Sequence, residues 1–163
     1  MEKEYFEDCR IGDRVVTPSR TITETDVVMF SAFTGDWNAV HTDAEYAKSS
    51  TFGERIAHGM LTLVIGTGLL FRLGGNEFLP KWVVAIVGLD RVRFIAPVKM
   101  GDTIRLEGEI VETTKISEEQ GVLSFKYLVK NQHNRSVVSG RARMLSKCRP
   151  SEGSNEREAC QNG

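Results

Sequence analysis

An aspartate and a histidine lie five residues apart in the stretch Gly35-Asp36-Trp37-Asn38-Ala39-Val40-His41-Thr42-Asp43, and a second histidine follows in Ile56-Ala57-His58-Gly59-Met60. A carboxylate with an imidazole is the smallest set that moves protons near neutrality, because free His titrates near ~6.5 and free Asp near ~3.9. The first segment reads as a Gly- and Asn-containing turn after an amphipathic helix. The second opens a long apolar helix, and a helix start carries backbone N–H groups with no partner inside the helix. Such a terminus stabilises an oxygen that gains negative charge. The pattern predicts acid–base chemistry beside a carbonyl.

These residues need elements that pin both ends of the turn. Thr23-Glu24-Thr25-Asp26 predicts a capping box with Thr23 as N-cap, and Val27, Phe30, Ser31, Phe33 and Thr34 follow at helical spacing. Gly35 ends that helix. Thr42-Asp43-Ala44-Glu45 predicts a second box, capped by Thr42, that starts a helical turn around Tyr46 and Ala47. Gly59 to Leu73 predicts a long helix whose Leu61, Val64, Ile65, Leu69 and Phe71 cover nearly its whole circumference, so it should be buried. Gly66 and Gly68 are read as packing positions on it.

The remaining chain reads as strands. Asp13 to Thr21 is the first, and after Pro80 the period changes to two over Trp82 to Ala96. Ile104, Leu106, Gly108 and Ile110 alternate with charged residues, as do Leu123, Phe125, Tyr127 and Val129, and Ser136 to Leu145 closes the set. Clean alternation implies an antiparallel sheet with one covered face. The order predicts an α+β domain in which a five-stranded antiparallel sheet wraps a long central helix. An exposed sheet edge then favours a homodimer built by extending the sheet. From Lys147 the composition turns polar, which sets the domain at residues 1–147 and predicts a disordered tail over 148–163.

A length of 163 residues suits one domain, and 40% hydrophobic with 26% charged residues is ordinary for a globular chain. A net charge of −1 supplies no field for nucleic acid or an anionic membrane. The acidic N-terminus lacks a signal peptide's apolar core, and Met60 to Phe71 is too short to span a bilayer. Cys9, Cys148 and Cys160 fit neither a disulfide framework nor a zinc site. The expectation is a soluble, cytoplasmic protein with reduced thiols, and no sequence cluster offers three metal ligands.

Phe30-Ser31-Ala32-Phe33-Thr34-Gly35-Asp36-Trp37-Asn38-Ala39-Val40-His41, with Ala47 six positions on, resembles the signature of the MaoC-like, (R)-specific enoyl-CoA hydratase family. Ile56-Ala57-His58-Gly59-Met60 is similar to that family's start of the central helix, and the resemblance covers roughly residues 5 to 147. It implies a single hotdog domain and reversible syn addition of water to trans-2-enoyl thioesters. Asp36 and His41 would be catalytic, the Gly59 N–H an oxyanion donor, and Asn38 either a turn residue or a contact to the substrate. Neither a metal nor a cofactor is implied beyond the coenzyme A of an acyl-CoA substrate, and the assembly would be a homodimer or larger.

The family usually carries Pro where Ala39 stands and a smaller aliphatic residue where Phe33 stands, so Phe33 is read as altering packing or the acyl pocket. Blander roles stand beside these: Asp36 as an Asx-turn residue, His41 as the residue before the Thr42 cap, His58 as structural. Trp37 is read as a pocket or interface wall, and His133 as inert in a hairpin. Arg91, Arg93 and Lys99 are sheet-surface charges by default, or contacts to coenzyme A phosphates. Two rivals share the kit. A hotdog thioesterase would aim the same water at the carbonyl carbon. A non-catalytic acyl-thioester-binding or regulatory module would bind without turnover.

Overall fold

Pro18 divides the strand expected over Asp13 to Thr21. In the computed structural model, which describes residues 2–151, it becomes β1 (Arg14–Val16) and β2 (Arg20–Thr21). Both run antiparallel to β4 (Thr103–Lys115). Proline has no N–H to give to a ladder, and Thr17 bridges the gap instead. Its N–H donates to the Leu106 carbonyl at 2.9 Å, and its Oγ1 accepts from the Leu106 N–H at 2.9 Å.

Three long strands complete the sheet: β3 (Val83–Phe94), β5 (Gln120–Lys130) and β6 (Ser136–Lys147). The order is β1-β4-β5-β6-β3, all antiparallel, with β2 continuing β1 along β4. Register aligns the alternating apolar residues into rows. Ile110 faces Phe125, which faces Ala142, while Leu106 faces Val129, which faces Val138. All six are buried. Each large apolar side chain so covered contributes roughly 1.5–3 kcal/mol.

The central helix lies against this face. α4 (Gly59–Gly68) runs into a tighter 3-10 turn over Leu69–Arg72, which together span the length expected of one helix to Leu73. Closest approach is at Gly66, where a Cβ would stand 2.6 Å from Val129 Cγ2. Gly68 is different: a Cβ there would meet nothing within 4 Å, so only one of the two glycines is a packing position. The arrangement is the hotdog fold that the sequence implied.

The expectation that α4 is covered on all sides fails for the single chain. Leu61, Leu63, Leu69 and Leu70 are buried, but Met60, Val64 and Phe71 are more than half exposed. β3, at the sheet's edge, likewise leaves Val84, Ile86, Val87, Leu89 and Phe94 exposed. A helix that is apolar all round in sequence is wrapped by this sheet on one side only.

The polar C-terminal segment begins inside the domain rather than beyond it. Cys148 is buried with its N–H on the Glu119 carbonyl at 2.7 Å, and the Arg149 guanidinium pairs with Asp8 at 2.8 Å. The remainder of the expected tail, 152–163, lies outside the described residues. Among the described residues no helix is long and apolar enough to cross a membrane.

The two helix glycines give opposite expectations on substitution. Gly68→Ala should raise stability by up to about 1 kcal/mol through helix propensity. Gly66→Ala should lower it by roughly 1–3 kcal/mol, because the stiff, β-branched Val129 cannot yield without strain. Thermal or urea unfolding of both variants checks this, and equal effects of the same sign would refute the packing assignment.

Candidate active site

α1 (Glu24–Thr34) delivers the site turn. Thr23 and Asp26 form the expected capping box, with the Thr23 N–H on Asp26 Oδ2 at 2.8 Å and the Asp26 N–H on Thr23 Oγ1 at 3.3 Å. The helix stops where Gly35 adopts φ 77°, a left-handed value that suits glycine, with its N–H on the Ser31 carbonyl at 2.8 Å. The chain thereby reverses and presents Asp36.

The turn holds itself through short-range bonds. Asp36 Oδ1 accepts from the Asn38 N–H at 3.2 Å, an Asx turn. Asn38 Oδ1 then accepts from the Val40 N–H at 3.2 Å and caps the one-turn α2 (Ala39–Thr42). Ala39 is the first residue of that helix, a position where proline is welcome because its N–H has no helical partner. Alanine in its place removes no bond. Because α2 runs through Thr42, the next cap falls one residue later than expected. Asp43 Oδ1 accepts from the N–H groups of Glu45 and Tyr46 at 2.9 and 3.0 Å and starts α3 (Ala44–Ser49).

His41 is largely buried, and its Nδ1 lies 2.8 Å from the Ile56 carbonyl. A carbonyl only accepts, so Nδ1 carries the hydrogen and Nε2 keeps its lone pair. The Ile56 segment is fixed in turn, its N–H on the Val40 carbonyl at 3.3 Å and the Ala57 N–H on the Val98 carbonyl at 2.7 Å. His58 follows as the N-cap of α4, with no side-chain bond to the helix. Its ring stacks on His41 at 3.8 Å between centroids, and its Nε2 is 4.0 Å from Asp36 Oδ2.

Asp36, His41, His58 and Gly59 line one cavity of about 650 Å³, walled by Phe30, Phe52, Ile56, Phe94, Ile95, Val137 and Val138. Gly59 opens α4, and its N–H has no acceptor among the described residues. The aromatic ring of Phe94 lies where a Gly59 Cβ would be, 2.8 Å from that point. Of the residues that the sequence reading named, Asp36, His41 and Gly59 meet on this cavity, and His58, read as structural, joins them. It missed the wall: Phe52 sits in a loop without pattern, and Phe94 to Val98 are where the strand period gives way to Pro97. Only that break in alternation marked them.

Three further residues stand apart from the cavity. Asn38 caps α2 and is not among the cavity's lining residues, so the structure gives it the turn role. Trp37 and Phe33 are exposed and likewise outside the lining. The His133 N–H completes the β5–β6 hairpin on Asn131 Oδ1 at 3.1 Å.

Folding also creates a grouping that linear spacing hid: Asp36, His41 and His58 each offer a ligand atom, all within 4.8 Å of one another. The His58 Nε2 is 3.1 Å from the Asp36 carbonyl and so carries hydrogen rather than a free lone pair. A cation would find two open ligands, a carboxylate and one imidazole, short of the three that hold a catalytic zinc.

Known proteins resemble this chain over most of its length. The family described as "MaoC like domain" matches residues 7–131. Protein MaoC of Klebsiella aerogenes is 40% identical over 104 residues, 64% of this chain but only 30% of that protein's length. The (R)-specific enoyl-CoA hydratase of Rhodospirillum rubrum is 33% identical over 127 residues, 75% of this chain and 78% of that one. Among solved structures, a monoamine oxidase regulatory protein from Archaeoglobus fulgius superposes with a TM-score of 0.85 at 37% identity, covering 92% of this chain and 98% of that one.

The contact between Gly59 and Phe94 supplies a test of the cavity mouth. Gly59→Ala alone should destabilise the protein, and Gly59→Ala with Phe94→Ala should recover part of the loss. A double-mutant cycle measured by unfolding should show coupling of at least about 0.5 kcal/mol. Strict additivity would mean that the ring does not rest on Gly59.

Proposed function

The chain belongs to the MaoC-like family, and on that premise we propose that it catalyses the reversible hydration of trans-2-enoyl thioesters to (R)-3-hydroxyacyl thioesters. One observation carries the reading: the Asp36 carboxylate, the lone-pair nitrogen of His41 and the unpartnered Gly59 N–H border one apolar-walled cavity.

Each group meets a separate demand of the reaction. Water is a poor nucleophile and the alkene is activated only through its conjugated carbonyl. With the thioester oxygen at Gly59, electron density displaced from the double bond collects beside a backbone N–H at the positive end of α4. A donor of this kind contributes about 3–4 kcal/mol to the transition state. Asp36 and His41 Nε2 hold a water between them; one proton leaves it as oxygen attacks C3, and the pair returns a proton to C2. Positioned proton transfer adds roughly 10²–10⁴-fold. The aromatic and aliphatic walls exclude bulk water and strengthen both electrostatic contributions. Hydration and its reversal use the same groups.

The exposed β3 edge and uncovered flank of α4 support a homodimer with a continuous sheet. A stable pair of this kind buries more than roughly 1,000 Å².

Asp36→Asn and His41→Gln should each reduce turnover of trans-2-butenoyl-CoA below about a tenth of wild type. Asp36→Asn should leave the unfolding midpoint nearly unchanged, whereas His41→Gln, which gives up the buried bond to the Ile56 carbonyl, should lower it. Loss of the conjugated absorbance measures the rate, and product mass separates hydration from thioester hydrolysis. A variant above that tenth would refute the acid–base assignment. Free thiol release would make the protein a thioesterase. Thermal stabilisation by acyl-CoA without any turnover would make it a binding or regulatory module. Light scattering at micromolar concentration tests the assembly, and a strict monomer would overturn the dimer.

A further inference from the structure

Reading His58 as a plain core residue leaves its surroundings unexplained. It is 2% exposed, with its ring between Phe30 and His41 at centroid distances of 5.0 and 3.8 Å. Nε2 lies 3.1 Å from the backbone carbonyl of Asp36 and 3.3 Å from Ser31 Oγ. Since the carbonyl only accepts, Nε2 bears the hydrogen and donates it there. Nδ1 is buried with no partner. A bare lone pair in that place costs less than an N–H with no acceptor, so the second nitrogen resists a proton.

We propose that His58 is the positioning residue of the site: its Nε2–H fastens the Asp36 main chain, and its ring face supports the imidazole of His41. One side chain thereby sets the carboxylate against the base, and both against Gly59, its neighbour in the chain. This rests on the reading of Asp36 and His41 as the proton-handling pair.

The charge state follows from the same surroundings. Burial pushes the His58 pKa below the ordinary histidine range; the bond to the Asp36 carbonyl opposes this, His41 adds to it, and the Asp36 charge opposes it. Those two are the titratable groups that act on it, and α1 sets Ser31 and Phe30 beside it. His58 thus stays neutral while its stacked neighbour takes up and gives away a proton, and two cations never share one 3.8 Å stack. The sign for stability is fixed. The unfolded chain binds a proton near ~6.5 that the folded one refuses, so His58 makes the fold less stable as pH falls below that value.

The test compares His58→Leu, which removes the donor, with His58→Gln, whose side-chain amide can replace it, using trans-2-butenoyl-CoA as probe. His58→Leu should lower kcat about tenfold or more, the scale of a misplaced catalytic group, with KM within about twofold. His58→Gln should return to within about threefold of wild type. In ¹⁵N spectra of the wild-type protein, His58 should show a lone-pair Nδ1 and a protonated Nε2, and should take up its second proton only below the ordinary histidine range. A fully active His58→Leu, a His58→Gln as impaired as His58→Leu, or a His58 that titrates at or above the ordinary histidine value would each overturn the proposal. Should His58→Leu not fold, the His58→Gln rate and the spectra decide. Asp36→Asn run in parallel separates the two readings. If Asp36→Asn is inactive and His58→Leu active, positioning fails alone; if Asp36→Asn is active, the proton-pair reading fails.

Discussion

The dipeptide Ile56-Ala57 is the fixed point of this molecule. Its two N–H groups and the Ile56 carbonyl are committed on two sides, to Val40 and His41 on one and to Val98 on the other. Through those bonds the helical turn that carries His41, the loop that follows β3, and the first residue of α4 meet within a few ångströms. The hydrogen bond to His41 also selects the tautomer that leaves Nε2 open. Nothing else among the described residues ties the site turn to the sheet so directly. The position of α4 against the sheet then decides where Gly59 stands, and the approach of Gly66 to Val129 lets that helix sit deep.

Much of this was legible in the chain, because its logic is local. Thr23, Asp26 and Gly35 mark the two ends of α1 by side-chain bonding and a left-handed φ, both of which act within a few residues. The strand alternation that ends in Val129 and Met144 reports one covered face by the same short-range rule. Pro18 was visible too, yet its effect was underread: a missing N–H divides a strand without ending the pairing. The second cap was misplaced by one residue because Thr42 and Asp43 are both good caps. What decided between them was whether α2 includes residue 42, which depends on Asn38 upstream.

The illegible part is long-range. No periodicity announces that the ring of Phe94 will rest on Gly59, or that His58 will stack on His41, because these contacts join segments that only the finished sheet brings together. The flank of α4 shows the same limit from the other side. Sequence gives the number of apolar faces a helix has, but not how many of them its own sheet can reach. Met60, Val64 and Phe71 are apolar for a reason that lies outside the wrapped face.

The loop from Gly35 to Asp43 satisfies many of its polar groups with neighbours two to five residues away. Contacts of such short span close at small entropic cost and form early, whereas strand pairing between distant segments comes late. The turn is therefore cheap to assemble, and the bond from His41 to Ile56, fifteen residues on, is what waits for the rest. Local bonding of this kind biases the turn toward its final shape without making a site, which needs the bond from His41 to Ile56. On the proposed assignment, recovery of activity after unfolding would report the closing of the sheet on its helix, not the ordering of the loop that carries Asp36 and His41.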